Sequence, residues 1–195
     1  MRSAFFNTVI IAFVILGIAR GTASEPLITV APSQLNLHPS EPEDQTAWRS
    51  ITLSISNRTA RKWRVSNFYD SWKPVLLSER QRGELVPISS GGRDATKWPK
   101  STDFPHLAPG ERAVAKRYFR LDRFETGLVV TFADGTGGIA GFAVTPGRYK
   151  LCVSYQADLD SPLFQIAAER FGLKAAEVWP GWQMSNWIDI VIHGK

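Results

Sequence analysis

The chain is 195 residues long with 44% hydrophobic and 21% charged residues, which fits one globular domain and excludes a polar, disordered chain. Its 15 Gly and 12 Pro are scattered over turn positions, without the triplet period of collagen or the density of a low-complexity linker. The formal net charge is +5; loss of Arg2 and Arg20 with the leader described next takes 23 basic residues to 21 against 18 acidic, or +3, too mild to imply a nucleic-acid partner.

Met1-Arg2 gives a short positive start, Ala4 to Ile18 is apolar except Asn7 and Thr8, and Gly21-Thr22-Ala23-Ser24 supplies small residues at the spacing of a peptidase site. This predicts a signal peptide over residues 1–24, cleaved after Ala23 or Ser24, ahead of one domain over residues 25–195. An uncleaved anchor is the competing reading, but the apolar run is shorter than the roughly 20 residues that span a bilayer. The expected location is therefore the periplasm or outside the cell, with no stable membrane span after cleavage. Cys152 is the lone cysteine, so no internal disulfide forms, and it lies too far from the cleavage site to carry a lipid.

Two-residue alternation dominates the remainder and predicts strands. Leu27 to Val30 and Gln34 to His38 read as a first strand broken at Ala31-Pro32-Ser33, followed by an acidic loop over Pro39 to Thr46. In Trp48 to Ser56, Ile51, Leu53 and Ile55 share one face and Ser50, Thr52, Ser54 and Ser56 the other, the pattern of a half-buried strand. Trp63 to Val65 continues the meander, and Trp72 to Ile88 reads as two strands around the charged turn Glu79 to Gly83. Ser89 to Pro109 is rich in Ser, Gly, Asp, Lys and Pro, a long irregular stretch and a candidate binding loop, with disorder as the alternative. After the Leu107 to Glu111 turn come strands over Arg112 to Leu121 and Gly127 to Phe132, the latter closed by Asp134-Gly135.

One helix is expected, with Ser161 as N-cap, Pro162 at its first position and Gly172 as C-cap. Leu163, Ile166, Ala167 and Phe171 form its apolar stripe, which packs on its own domain. The segment Pro146-Gly147-Arg148-Tyr149-Lys150-Leu151-Cys152-Val153-Ser154-Tyr155 puts Tyr149, Leu151, Val153 and Tyr155 on one face of a strand and Cys152 on the other. In the closing segment from Trp179, Ile188, Ile190 and Ile192 alternate against Trp187, Asp189 and Val191.

A tyrosine two residues before a buried position near the start of such a strand matches the tyrosine corner of immunoglobulin-like sandwiches. With the P-G-x-Y strand, the Trp179-Pro180-Gly181-Trp182 turn, Ser185-Asn186 and the alternating last strand, the chain resembles immunoglobulin-like domains of uncharacterised exported bacterial proteins over most of residues 27–193. The resemblance implies an all-β, immunoglobulin-like antiparallel β-sandwich with one short helix inserted before the last strand, and it brings no catalytic residues. It also suggests Trp63 in the place of the buried strand-C tryptophan. Separately, Gly135-Thr136-Gly137-Gly138 resembles the G-x-G-G loop of chagasin-type cysteine-protease inhibitors, while the other two inhibitory loops of that family are at best echoed by Asn57-Arg58-Thr59-Ala60 and Val178-Trp179-Pro180.

The chemistry of an enzyme is not legible. His38, His106 and His193 are far apart, with no metal-site spacing, and no nucleophile elbow or phosphate-cradling loop occurs. No cofactor and no metal are expected. Trp48, Trp63 and Trp187 read as packing residues, whereas Trp98, Trp179 and Trp182 sit in turn-like contexts, with Lys97 and Lys100 flanking Trp98. Those five residues are the candidate ligand-binding set, through ring stacking on a sugar or anchoring of a protein. Arg58, Arg61, Lys62 and Arg64, then Lys116, Arg117, Arg120 and Arg123, form two basic clusters that would favour an anionic polymer if they shared a side of the fold. Asn57-Arg58-Thr59 is a glycosylation acceptor pattern in a eukaryotic setting. The expectation is an exported, non-enzymatic binding module whose partner is another protein or the cell envelope, with carbohydrate or anionic-polymer binding as the alternative and protease inhibition as the third reading.

Overall fold

The computed structural model describes residues 27–41, 44–67, 71–93, 98–133 and 138–194. The expected leader, Lys97 and the inhibitor-like loop at Gly135 to Gly137 lie outside those residues. The protein is mostly strand. One sheet runs β1 (Leu27–Ala31), β4 (Arg49–Ser56), β10 (Arg112–Phe124), β11 (Gly127–Ala133), β12 (Gly138–Val144) and β8 (Ile88–Arg93), all neighbours antiparallel, with the short β3 (Pro39–Ser40) added parallel to β10. The second runs β2 (Gln34–Leu37), β15 (Ile188–Ile192), β13 (Gly147–Tyr155), β6 (Trp72–Ser78) and β7 (Glu84–Val86), with β14 (Gln183–Met184) beside the end of β13. A small ribbon pairs β5 (Trp63–Arg64) with β9 (His106–Leu107). Among the described residues no helix is long and apolar enough to cross a membrane.

The serine–isoleucine alternation of β4 works as its period demands: Ile51, Leu53 and Ile55 are buried, each burial stabilising by roughly 1.5–3 kcal/mol, while Arg49 and Ser50 at the start of the strand face solvent. Leu151, Val153 and Tyr155 of β13 and Ile188, Ile190 and Ile192 of β15 meet Leu53, Phe119 and Leu121 of the other sheet in one continuous core. The hydroxyl of Tyr149 donates to the Thr145 carbonyl at 2.9 Å and accepts from the Thr145 amide at 3.1 Å, tying β13 back to the chain that precedes it.

The break at Pro32 does more than interrupt a strand. It moves the chain from the edge of one sheet, β1, to the edge of the other, β2, and the same transfer recurs at Pro87 between β7 and β8. Proline lacks an amide hydrogen, so placing it at the transfer removes no ladder bond. Asn186 then fastens the first of these edges: its Oδ1 accepts from the Val30 amide at 2.7 Å and its Nδ2 donates to the Val30 carbonyl at 3.1 Å, standing in for a neighbouring strand. Ser185, next to it, accepts from the Val153 amide through its hydroxyl, so the Ser185-Asn186 pair spans both sheets.

Several expectations need correction. The stretch 89–109 is not wholly irregular: β8, a 3-10 turn at Ser101–Asp103 and β9 fall inside it. The sequence reading missed β12, whose Gly138, Gly141 and Ala residues mask the alternation. The buried tryptophan at the start of a central strand is Trp72 on β6, packed edge-on to Tyr155 at 4.8 Å; Trp63 is only half-buried and donates from Nε1 to Thr59. Helix α1 (Pro162–Phe171) has the expected Ser161 and Gly172 caps, Gly172 at φ 63°, but it buries Phe164 and Ala167, and Ile166 is 40% exposed. The inward stripe is Phe164, Ala167, Ala168 and Phe171, one step round the helix from the expected one.

Replacing Asn186 by Ala leaves the Val30 amide and carbonyl without partners at a part-buried edge, so unfolding free energy falls by about 1–3 kcal/mol. A denaturant titration checks this, and an unchanged midpoint would remove Asn186 as the fastening of that edge.

Candidate functional site

The geometry of Trp179-Pro180-Gly181-Trp182 follows from one packed ring. Trp179 is 5% exposed, its indole stacked on Tyr155 at 4.9 Å with the planes 3° apart, and its amide donates to the Arg64 carbonyl at 2.9 Å. Gly181 lies so close over that ring that a Cβ there would sit 2.6 Å from the indole carbons. The chain therefore folds over the face of its own tryptophan, and Trp182, the residue after Gly181, is carried outward to 41% exposure.

Trp182 lines an open cavity of about 510 Å³ together with Lys73, Ser154, Gln156, Asp158 and Asp160. Lys73 and Ser154 face each other across β6 and β13, the Ser154 hydroxyl donating to the Lys73 carbonyl at 3.2 Å, and the Gln156 amide continues the ladder to Ser71 at 2.9 Å. The two aspartates are held by the turn that enters α1. The Asp158 carboxylate accepts from the Asp160 amide at 3.3 Å, and the Asp158 carbonyl accepts from the Ser161 hydroxyl that caps the helix. The lining thus offers an exposed indole, two carboxylates, an ammonium, a primary amide and a hydroxyl, in a volume typical of small-ligand sites at about 300–1,000 Å³. A smaller, mainly apolar cavity of about 250 Å³ lies between β4, β10 and the 102–105 segment, where Ala113 and Ala115 leave room beside Trp72.

Of the four nominated residues that the structure describes, Trp182 alone lines the larger cavity. Trp179 is packed inside, so its ring offers no stacking face to a ligand. Trp98 is 49% exposed and Lys100 starts the 3-10 turn, its amide donating to Asp103 at 2.8 Å, but neither lines this cavity. Lys73, Ser154, Gln156, Asp158 and Asp160 carried no motif, and only proximity in the fold singles them out.

The two basic clusters do not make one patch. Along β10 alternate side chains take opposite faces: Arg117 is buried, bonded to the Asn67 side chain and 5.5 Å from the Trp72 ring, while Arg120 points the other way, ion-paired with Asp122 and lying over Trp48. Arg61 stacks on Trp63 and Arg64 pairs with Glu177. Asn57 is buried and its amide is consumed, Nδ2 donating to the Arg61 and Leu107 carbonyls and Oδ1 accepting from Thr59, so its motif builds a turn and offers no nitrogen to a glycosyl group.

His38 and His193, remote in sequence, stack at 4.1 Å because β2 and β15 run parallel and end side by side. His106 is held below the ordinary histidine value by burial and by the charges of Arg64 and Lys62. No group of three or more His, Cys, Asp or Glu side chains placed to hold a metal occurs among the described residues. Cys152 is fully buried, and burial pushes its thiol far above the usual range. No protein-family model, curated protein or solved structure matches the chain.

Gly181→Ala forces the new methyl into the Trp179 ring, lowering stability by about 1–3 kcal/mol with a shift in tryptophan emission; a wild-type denaturation curve would contradict the close approach. Cys152 should resist alkylation in the folded protein at mildly alkaline pH and react fully in guanidinium, as a thiol assay can show; rapid native labelling would contradict its burial.

Proposed function

We propose that this chain is an exported, non-enzymatic, immunoglobulin-like β-sandwich module that works by contact with another protein in the periplasm or outside the cell. The immunoglobulin-like reading is supported by the divided first strand, by the Tyr149 tie to Thr145 and by Trp72 against Tyr155 between central strands. Export is supported by the charge, apolar run and small residues of positions 1–24.

The observation behind protein contact is a row across the outer face of the first sheet. Tyr118, Ala133, Ile139 and Gly92 are successive cross-strand neighbours on β10, β11, β12 and β8. Ile139 is 51% exposed and Tyr118 36%, with Val114 further along β10 at 53%. β8 ends its sheet with the sequence Ile-Ser-Ser-Gly-Gly-Arg, which lacks the lysines and prolines that blunt edges against pairing. An apolar row running to such an edge suits a partner that adds a strand beside β8 and covers the row with its own apolar side chains.

A photoreactive side chain at position 139, in the protein exported by its native host, should crosslink to one discrete protein. The same probe at Thr29, on the opposite edge strand of that sheet, should not. Equal adducts from both positions, or none from either, would overturn this assignment.

A further inference from the structure

We infer that the cavity at Trp182 is a binding site for a short saccharide bearing no acidic groups, a function separate from the protein-contact row and resting on different residues. Three features of the lining carry this. First, Trp182 is the one ring of the Trp179 to Trp182 turn left outside, and the packing of Trp179 under Gly181 fixes it there; an indole held at a cavity wall is a platform for the apolar C–H face of a sugar ring. Second, a hydroxyl-rich ligand needs acceptors and donors alternating over a few ångströms. Asp158 and Asp160 are acceptors, as is Ser154, whose own proton goes to the Lys73 carbonyl; Lys73 is a donor, and Gln156 is both. Third, the charges of the lining are two carboxylates against one ammonium, so an anionic chain would meet net repulsion while uncharged or amine-bearing sugars would not.

The site is also built in advance. The turn that carries the two aspartates is pinned by the Asp160 amide on Asp158, by Ser161 on the Asp158 carbonyl and by Gln165 Nε2 on the Leu159 carbonyl at 2.9 Å. The wall formed by Lys73 and Ser154 belongs to two central strands of the second sheet. Little ordering remains to be done on binding. Neither basic cluster contributes to this lining, so the site is distinct from one that would take an anionic polymer through those clusters.

The test is titration of the full mature chain with cellobiose, with the disaccharide of glucosamine and with digalacturonate, followed by tryptophan fluorescence and calorimetry. Saturable binding of the neutral or the amine-bearing disaccharide, with digalacturonate at least about tenfold weaker, is expected; the first two arms tell hydroxyl recognition alone from an added ammonium–carboxylate pair. Trp182→Ala and, separately, Asp160→Asn should each weaken the bound disaccharide about tenfold or more, since both side chains are at the surface and their loss leaves the core intact. Trp98→Ala, outside the cavity, and Ile139→Asp, in the protein-contact row, should leave the affinity unchanged. No saturable signal from any of the three sugars, preferred binding of digalacturonate, or unchanged affinity in both Trp182→Ala and Asp160→Asn would overturn the site. Loss on Trp98→Ala alone would place saccharide binding elsewhere.

Discussion

The ring of Tyr155 organises everything that bears on function. It lies at the end of β13 with Trp72 edge-on to one side and Trp179 stacked on the other, and aromatic pairs of this kind contribute about 0.5–1.5 kcal/mol each beyond the area they bury. Its hydroxyl is buried too, and a buried hydroxyl must be paired: it accepts from the Ser66 amide at 3.1 Å and donates to the Trp179 carbonyl at 3.3 Å. Burial pushes its ionisation above the usual tyrosine range, which favours the protonated hydroxyl that donates. Three remote stretches, residues 63–67, the start of β6 and the turn after Val178, are fixed to one side chain. The inward Trp179, the glycine over its face and the outward Trp182 are consequences.

The edges of the layers are closed by polar groups rather than by more strands. Asn186 fills in for a strand beside Val30, and Tyr149 holds the entry to β13. On the outer face of the first sheet, Asp122 is buried with Arg120 at 2.5 Å and Thr131 at 2.6 Å, while the Arg120 guanidinium lies 4.6 Å from the Trp48 ring. The residues after β3 thus cover an ion pair that a bare sheet would leave wet, and removing one partner would leave the other buried and uncompensated. Ile139, by contrast, stays uncovered towards the far edge.

Much of the fold could be read from residue order because burial on one face writes a period into the strand. β4 and β15 alternate cleanly, β13 does so except at the buried Cys152, and Ser161, Pro162 and Gly172 mark the ends of α1 through backbone groups that need those residues. Where both faces are covered or small residues intervene, the period fades: β12 escaped notice, Arg117 and Asp122 are buried despite their charge, and Phe164 displaced Ile166 from the inner face of the helix. The division of the first strand was visible at Pro32, but not the fact that its halves join different sheets, because that is decided by pairing with β4 and β15. The cavity was least legible. Lys73, the Ser154 to Asp158 segment and Trp182 come from three separate stretches, and only the topology brings them together; the three tryptophans in turn-like contexts look alike until one of them finds Tyr155.

The most direct test of that constraint is solvent exposure of individual indoles, read from fluorine resonances of fluorotryptophan-labelled protein assigned by single substitutions and challenged with a soluble paramagnetic agent. Trp182 and Trp98 should broaden while Trp72 and Trp179 stay sharp, and Tyr155→Ala should expose Trp179. Broadening of Trp179 as strong as that of Trp182 in the unaltered protein would contradict the inward ring and, with it, the placement of the cavity.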